Sequence, residues 1–312
     1  MHNERPGFRA QGERPVTDVS REENYEENSG LRASTGGPLQ KEDYEEPRCV
    51  LCGEPYGAEP PVQAVPQQRI IQKMDEYMSR RDYAGAERHL LYWLEEAKLG
   101  RDLRGELMLR GELVGHYRKT GEEAKAMESA DEALRLLKEL DFEGTISSGT
   151  TYVNIATACS AFGKNERALE LFEKARKIYE SSANTRADLL GGLYNNMALV
   201  LVSLGRFAEA FDLYEKALHV MGGVPGGGLE QAITYLNMAD AVQARDGAEE
   251  GEKQISELLD KAAALFDETD APRDGYYAFV CEKCAPSFSY YGYFLTAEDL
   301  EARAKAIYER EA

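Results

Sequence analysis

The stretch Gly191–Met221, GGLYNNMALVLVSLGRFAEAFDLYEKALHVM, decides how the rest of the chain is read. Tyr194, Met197, Ala198 and Leu201 recur at steps of three and four residues, so they share one face of a helix, and an apolar face of that kind must be buried. Gly205 ends the helix where an achiral residue takes a left-handed cap. Phe207 opens a second helix on which Ala210, Tyr214 and Ala217 keep the same spacing. The result is a helical hairpin. Small Ala198, Ala210 and Ala217 let the two helices approach closely, while Tyr194, Leu201 and Tyr214 fill the flanks. One hairpin cannot bury this face alone, so further copies are required.

They are present. Aligned to this stretch, units start at about Gln67, Leu107, Gly149, Gly191, Ala232 and Ala278, at steps of 40, 42, 42, 41 and 46 residues by subtraction. Gly121, Gly163 and Gly205 share the turn slot, and Tyr152, Tyr194 and Tyr235 share a core slot. Ala126, Ala168 and Ala210 coincide, as do Ala133, Ala175 and Ala217. The first unit keeps Ala86 and puts Trp93 in a small-residue slot; the fifth carries an insertion around GAEEGEK; the sixth keeps Gly292, Ala297 and Ala304. End units of such arrays are atypical because one face meets solvent. Thr296-Ala-Glu-Asp299 reads as a capping box that introduces the last helix and closes the array. The loop MGGVPGGGLE, residues 221–230, lacks the Lys-Ser/Thr ending of a phosphate loop and reads as a flexible connector. The expectation is an all-α chain of about six helix-turn-helix units over residues 67–312.

The flanks differ in composition. Residues 1–48 are polar, broken by glycine and without hydrophobic periodicity, which predicts a disordered N-terminal segment. Residues 49–66 hold Cys49-Val50-Leu51-Cys52-Gly53 and the proline-rich connector EPYGAEPPVQAVP. In the whole chain of 312 residues no apolar run reaches membrane-spanning length, and MHNERPGFRA has no apolar core of the kind that a secretory signal needs. A cytoplasmic location is therefore expected. Lys and Arg total 37 against 56 Asp and Glu, a formal charge of −19. That surface repels nucleic acid and anionic lipid and leaves neutral or basic partners, although acidity alone also serves solubility.

The repeat pattern resembles the tetratricopeptide repeat family over about Gln67 to Ala312. Steps near 42 residues, with Asn195-Asn196-Met197-Ala198, resemble the longer repeats of kinesin light chains. The stretches AERHLLYWLEEAKLGRDLRGEL and RDGYYAFVCEKCAPSFSYYGYF are similar to a group of bacterial repeat proteins. The resemblance implies an αα-superhelix with a concave groove that binds a protein or peptide, without chemistry. In the family the sixth position of each unit's first helix faces the groove, which places Asn154, Asn196 and Asn237 there. An amide both donates and accepts, so a row of them holds an extended backbone whatever its side chains; the alternative is that they tie neighbouring helices together. Asn195, Leu199, Asp240 and Gln243 fall in other groove-facing slots, with Arg118 and Lys119 toward the amino end. The second unit departs from the pattern with Glu112 in the asparagine slot, and the basic carboxylate clamp of chaperone-binding repeats is not reproduced.

Cys49/Cys52 and Cys281/Cys284 form two CxxC pairs that together have the make-up of a four-thiolate zinc site. Against it, Cys281 and Cys284 take slots filled by Tyr194 and Met197 in the fourth unit, and buried free cysteines or a redox pair are the alternatives. Reach also counts. The 14 residues Gly53–Pro66 span at most about 46 Å, while five unit steps of about 10 Å approach 50 Å; a homodimer would shorten that path. Cys159 sits among apolar residues and is expected in the core. Tyr276, Tyr277, Tyr290, Tyr291 and Tyr293 have the helical spacing of packing residues, with an aromatic binding surface as the alternative. His2, His89, His116 and His219 have no metal-site spacing, and no Ser-His-Asp, HExxH or phosphate-loop context occurs. The reading is a non-catalytic, peptide-binding adaptor that requires no cofactor, with zinc left open. The alternatives are a zinc- or redox-responsive module and a peptide-sensing regulator without its own DNA-binding domain.

Overall fold

The helices alternate between a first and a second member of each hairpin. A computed structural model describes residues 62–311, and among these twelve helices form and no strand. The six units are α1 (Gln67–Ser79) with α2 (Tyr83–Leu99), α3 (Leu103–Thr120) with α4 (Glu123–Glu139), and α5 (Ile146–Ala161) with α6 (Asn165–Ser181). They continue with α7 (Ala187–Ser203) and α8 (Phe207–Gly222), α9 (Gly228–Asp246) and α10 (Ala248–Glu268), and α11 (Gly275–Tyr290) and α12 (Phe294–Glu311). None of these helices is long and apolar enough to cross a membrane. Residues 1–48 and the Cys49–Cys52 knuckle lie outside the described residues.

The hairpin turn repeats because one backbone position repeats. Gly121, Gly163, Gly205 and Gly292 stand two residues ahead of α4, α6, α8 and α12 at φ between 72° and 84°, the left-handed region that glycine enters without a Cβ penalty. Ala126, Ala168 and Ala210, with Ala133, Ala175 and Ala217, are fully buried at 0% exposure, which is how the two helices of each unit approach. A recurring clasp closes the other flank: Lys174, Lys216 and Lys261 of the second helices lie over the rings of Tyr152, Tyr194 and Tyr235 at 5.6, 5.8 and 5.6 Å. Between units, α3, α5, α7, α9 and α11 touch one another in sequence, while α4, α6 and α8 pack on the first helix that follows. The first helices thus form the inner layer of the stack.

Two local expectations are corrected. α12 begins at Phe294, so Thr296 lies inside its first turn and the capping box is not used; Gly292 sets the start, as Gly205 does for Phe207. The insertion of the fifth unit is helical. It lengthens α10 to 21 residues, since Ala, Glu and Lys are strong helix formers. The glycine-rich connector is reduced to residues 223–227 and laced down, with the Gly226 N–H donating to Asp270 at 2.7 Å. A Cβ on Gly227 would stand 2.1 Å from the Met221 carbonyl oxygen, so glycine is needed there for close approach. The end of the linker is pinned as well: Gln63 N donates to Gly100 O at 2.9 Å and Val65 N to the buried Asp102 carboxylate at 2.9 Å. Asp102 at the same time caps α3 by accepting from Gly105 N.

The sixth unit turns a different surface outward. Offset by 87 residues from α8, the buried positions Tyr214, Leu218 and Met221 become Glu301, Lys305 and Tyr308, while Leu213 and Ala217 keep their kind as the buried Leu300 and Ala304. Glu301, Lys305 and Tyr308 line, with Glu282, Ala304 and Glu309, an open groove of about 390 Å³ between α11 and α12. Charged side chains on this face are the device by which a repeat stack meets water.

Candidate functional site

The inner layer carries one amide per unit over three consecutive units. Asn154 on α5 is exposed, and Asn196 on α7 and Asn237 on α9 are half-buried. None of the three side chains has a hydrogen-bond partner among the described residues. Each therefore keeps a donor pair and an acceptor for something else. In the same slot stand Glu112 on α3 and Lys283 on α11, the latter with its ammonium 5.6 Å from the centre of the Phe279 ring. Leu199 is half-buried on α7, three residues after Asn196.

The other inner polar residues are occupied. Asn195 is only 6% exposed and donates through Nδ2 to Thr234 Oγ1 on α9 at 2.8 Å. Thr234 in turn donates to the Glu230 carbonyl at 2.8 Å. The Asn195 Oδ1 is buried without a partner. Asp240 accepts from Tyr291 Oη at 2.7 Å, and Gln243 Nε2 donates to Tyr290 Oη at 2.7 Å. Asn195, Asp240 and Gln243, read from the register as groove-facing, are thus inter-unit ties between α7 and α9 and between α9 and the end of α11. Tyr290 and Tyr291 read from their spacing as packing residues, and what that reading misses is their bonds to Gln243 and Asp240. Their signal was position: Tyr290 stands one unit beyond Gln243, and laterally adjacent slots in a stack are neighbours.

A second tie crosses the same junction. Tyr276 on α11 donates to the Glu230 carboxylate on α9. Burial holds the Glu230 carboxyl above its ordinary value, with the Tyr276 hydrogen bond opposing and the nearby Asp188 adding to the rise. In the fourth unit, Tyr194 Oη donates to Glu180 at 3.0 Å, and burial with that bond pushes the phenol up to about 12. These groups hold elements together across unit boundaries.

Cys281 and Cys284 lie in the apolar core at 0% and 1% exposure, as does Cys159 at 0%. Burial pushes the Cys281 thiol up to about 11 and that of Cys284 further. Among the described residues no group of three or more His, Cys, Asp or Glu is placed to hold a metal. Cys49 and Cys52 lie outside the described residues, so the four-thiolate set is not assembled within them. The linker geometry adds a constraint. With Gln63 and Val65 held beside α3, the ten residues between Cys52 and Gln63 can span at most about 36–40 Å. From α3 to α11 are four unit steps of about 10 Å. Joining the two pairs within one chain takes nearly the whole of that reach and requires withdrawal of two thiols from the core.

Comparison with known proteins agrees with this architecture. Residues 106–181 and 189–250 match the sequence model of a tetratricopeptide repeat family. Among curated proteins no match is found. Similar solved structures include nearly identical TPR-like repeats from Podosopora anserina assigned to a kinesin light chain, 19% identical at a TM-score of 0.45, covering 65% of this chain and 94% of that one. BtubC from P. vanneervenii is 18% identical at a TM-score of 0.46, covering 80% and 93%. The pilF protein of Pseudomonas aeruginosa is 17% identical at 0.42, covering 78% and 92%. The second to fifth units, inside a series of six helical hairpins, therefore carry the tetratricopeptide repeat motif.

Proposed function

We propose that this protein is a non-catalytic scaffold that binds an extended peptide segment of a partner protein along its inner layer, with Asn154, Asn196 and Asn237 as the backbone-holding groups. The single observation that carries this reading is that the three amides occupy one register slot on three consecutive inner helices and have no partner among the described residues. A side chain needed to tie helices together would be bonded, as Asn195 is to Thr234. An amide hydrogen bond contributes about 0.5–1.5 kcal/mol net, so a single substitution weakens binding by about an order of magnitude or less and the triple substitution abolishes it.

The test begins with partners captured by photocrosslinking from a residue placed at position 196. The triple variant Asn154→Ala, Asn196→Ala, Asn237→Ala is then compared with the parent in affinity for the captured partner and in melting temperature. Loss of binding with an unchanged melting temperature supports the reading. Full affinity in the triple variant places the site elsewhere, and a large drop in melting temperature makes the amides structural.

A further inference from the structure

We propose that the segment received by α5 and α7 is uncharged where it touches them; this rests on the groove reading above and adds the chemistry of the ligand. In a chain of which 30% is charged, α5 (ISSGTTYVNIATACSA) carries no charged residue and α7 only Asp188, which is paired with Arg186. The second helix α6 between them carries eight. Burial does not account for this, because Ser147, Asn154 and Ala161 of α5 and Ser203 of α7 are exposed, and Thr151, Thr157, Ser160, Asn196 and Val202 are partly so. Positions that water reaches have been kept neutral. The ladder slot runs Glu112, Asn154, Asn196, Asn237, Lys283, with charge at both ends and none between.

The hydroxyls on this wall are turned to the same use. Thr151 donates to Ser147 O at 3.1 Å, Thr157 to Val153 O at 2.8 Å and Ser203 to Leu199 O at 3.0 Å. Each spends its proton on its own helix and leaves oxygen lone pairs as acceptors, which suit peptide N–H groups. A Lys, Arg, Asp or Glu of the ligand pressed against α5, or against α7 beyond its first turn, would lose water without meeting a counter-charge on that helix, so the wall selects against charge as well as for backbone.

The same surface is cut back by glycines that the chain itself does not need. Gly192 precedes Asn196 by four residues and Gly115 follows Glu112 by three, so each shares the inner face with its ladder residue. A Cβ at either position would meet nothing within 4 Å. Glycine inside a helix is destabilising, and what it supplies here is room for another backbone to come close.

The test uses the full chain as target for selection from a random-peptide display library, followed by affinity measurements on the recovered peptides at low and high salt. The expected peptides are uncharged over their central stretch, bind with little salt dependence, and are lost by the Asn154/Asn196/Asn237 triple alanine variant. Gly192→Ala should separate site from scaffold by opposite signs: affinity falls at least about fivefold because the added methyl crowds the ligand, while the melting temperature rises by about 1–4 °C. Recovered peptides rich in Lys and Arg or in Asp and Glu, with salt-sensitive affinity that still depends on the three asparagines, would overturn this inference and leave the groove reading intact. Peptides that bind the triple variant undiminished, or a selection that enriches none, would count against both. Unchanged affinity in Gly192→Ala would overturn the close approach at that position.

Discussion

In α5 and α7 the inner amides Asn154 and Asn196 are without partners among the described residues, whereas in α9 the inner polar residues Asp240 and Gln243 are held by Tyr291 and Tyr290 of the next unit. The slots are different ones: the amide slot recurs on α9 as Asn237, likewise without a partner among the described residues, and Asp240 stands three residues further on. Thr157, Leu199 and Asp240 are one register position, and Tyr290-Tyr291 of the sixth unit correspond to Ser203-Leu204 of the fourth. Where the following unit ends its first helix in two tyrosines, a phenol reaches back and consumes the polar group. Where it ends in Ser-Leu, as α7 does after α5, the equivalent residue Thr157 donates to Val153 O of its own helix instead. One fold position is therefore tied across units or left untied according to the side chain one repeat away.

The largest effect that separates the two regions is expected at Phe288, fully buried and edge-on to Phe266 at 6.2 Å across the junction of the last two units. Phe288→Ala should cost about 3–5 kcal/mol in equilibrium denaturation, because a cavity opens between two units. A loss below about 1 kcal/mol would show that the junction is held by something other than this packing. Next in size, Tyr291→Phe and Tyr290→Phe should each cost about 1 kcal/mol through the bonds to Asp240 and Gln243. If both melt like the parent, the closed state of this end is not an energetic fact.

The pH response sharpens the contrast further. Burial raises the Glu230 carboxyl in the folded chain above 4.5, so the fold binds its proton more tightly than the unfolded chain does. Its contribution to stability is then complete below 4.5 and is lost as pH rises through the folded value. Thermal melts across this window should show a falling component that Glu230→Gln removes. Tyr276→Phe, which deletes the donor opposing the rise, should carry the loss to higher pH. A melting profile identical in parent and Glu230→Gln would refute this. The smallest effect is expected from Asn154→Ala and Asn196→Ala, within about 0.5 kcal/mol each, since they break no bond in the free protein. A loss comparable to that of Tyr291→Phe would erase the distinction between the two regions.

The sequence already showed the hairpin, its turn and its repetition. Gly205, Phe207 and the paired alanines are local signals, and the structure uses each as read. Thr296 was misread because a capping box is also local, and a stronger local device, Gly292 in its left-handed slot, stands two residues ahead of the helix. The connector at 223–227 was misread for the opposite reason. Its glycines look loose in sequence, and only a carboxylate 44 residues away, Asp270, holds them.

What the sequence by itself determined is the repeat and the register row of amides, because a helical period, an achiral turn residue and a constant unit length act within one repeat and need no knowledge of its neighbours. The tertiary structure decided which inner polar groups are free and which are spent, that Cys281 and Cys284 are core, and that the linker is tied down at Asp102. These depend on what a neighbouring repeat or a distant loop presents at hydrogen-bonding distance. A bond of about 3 Å between residues 37 to 51 positions apart leaves no mark in the periodicity of either segment.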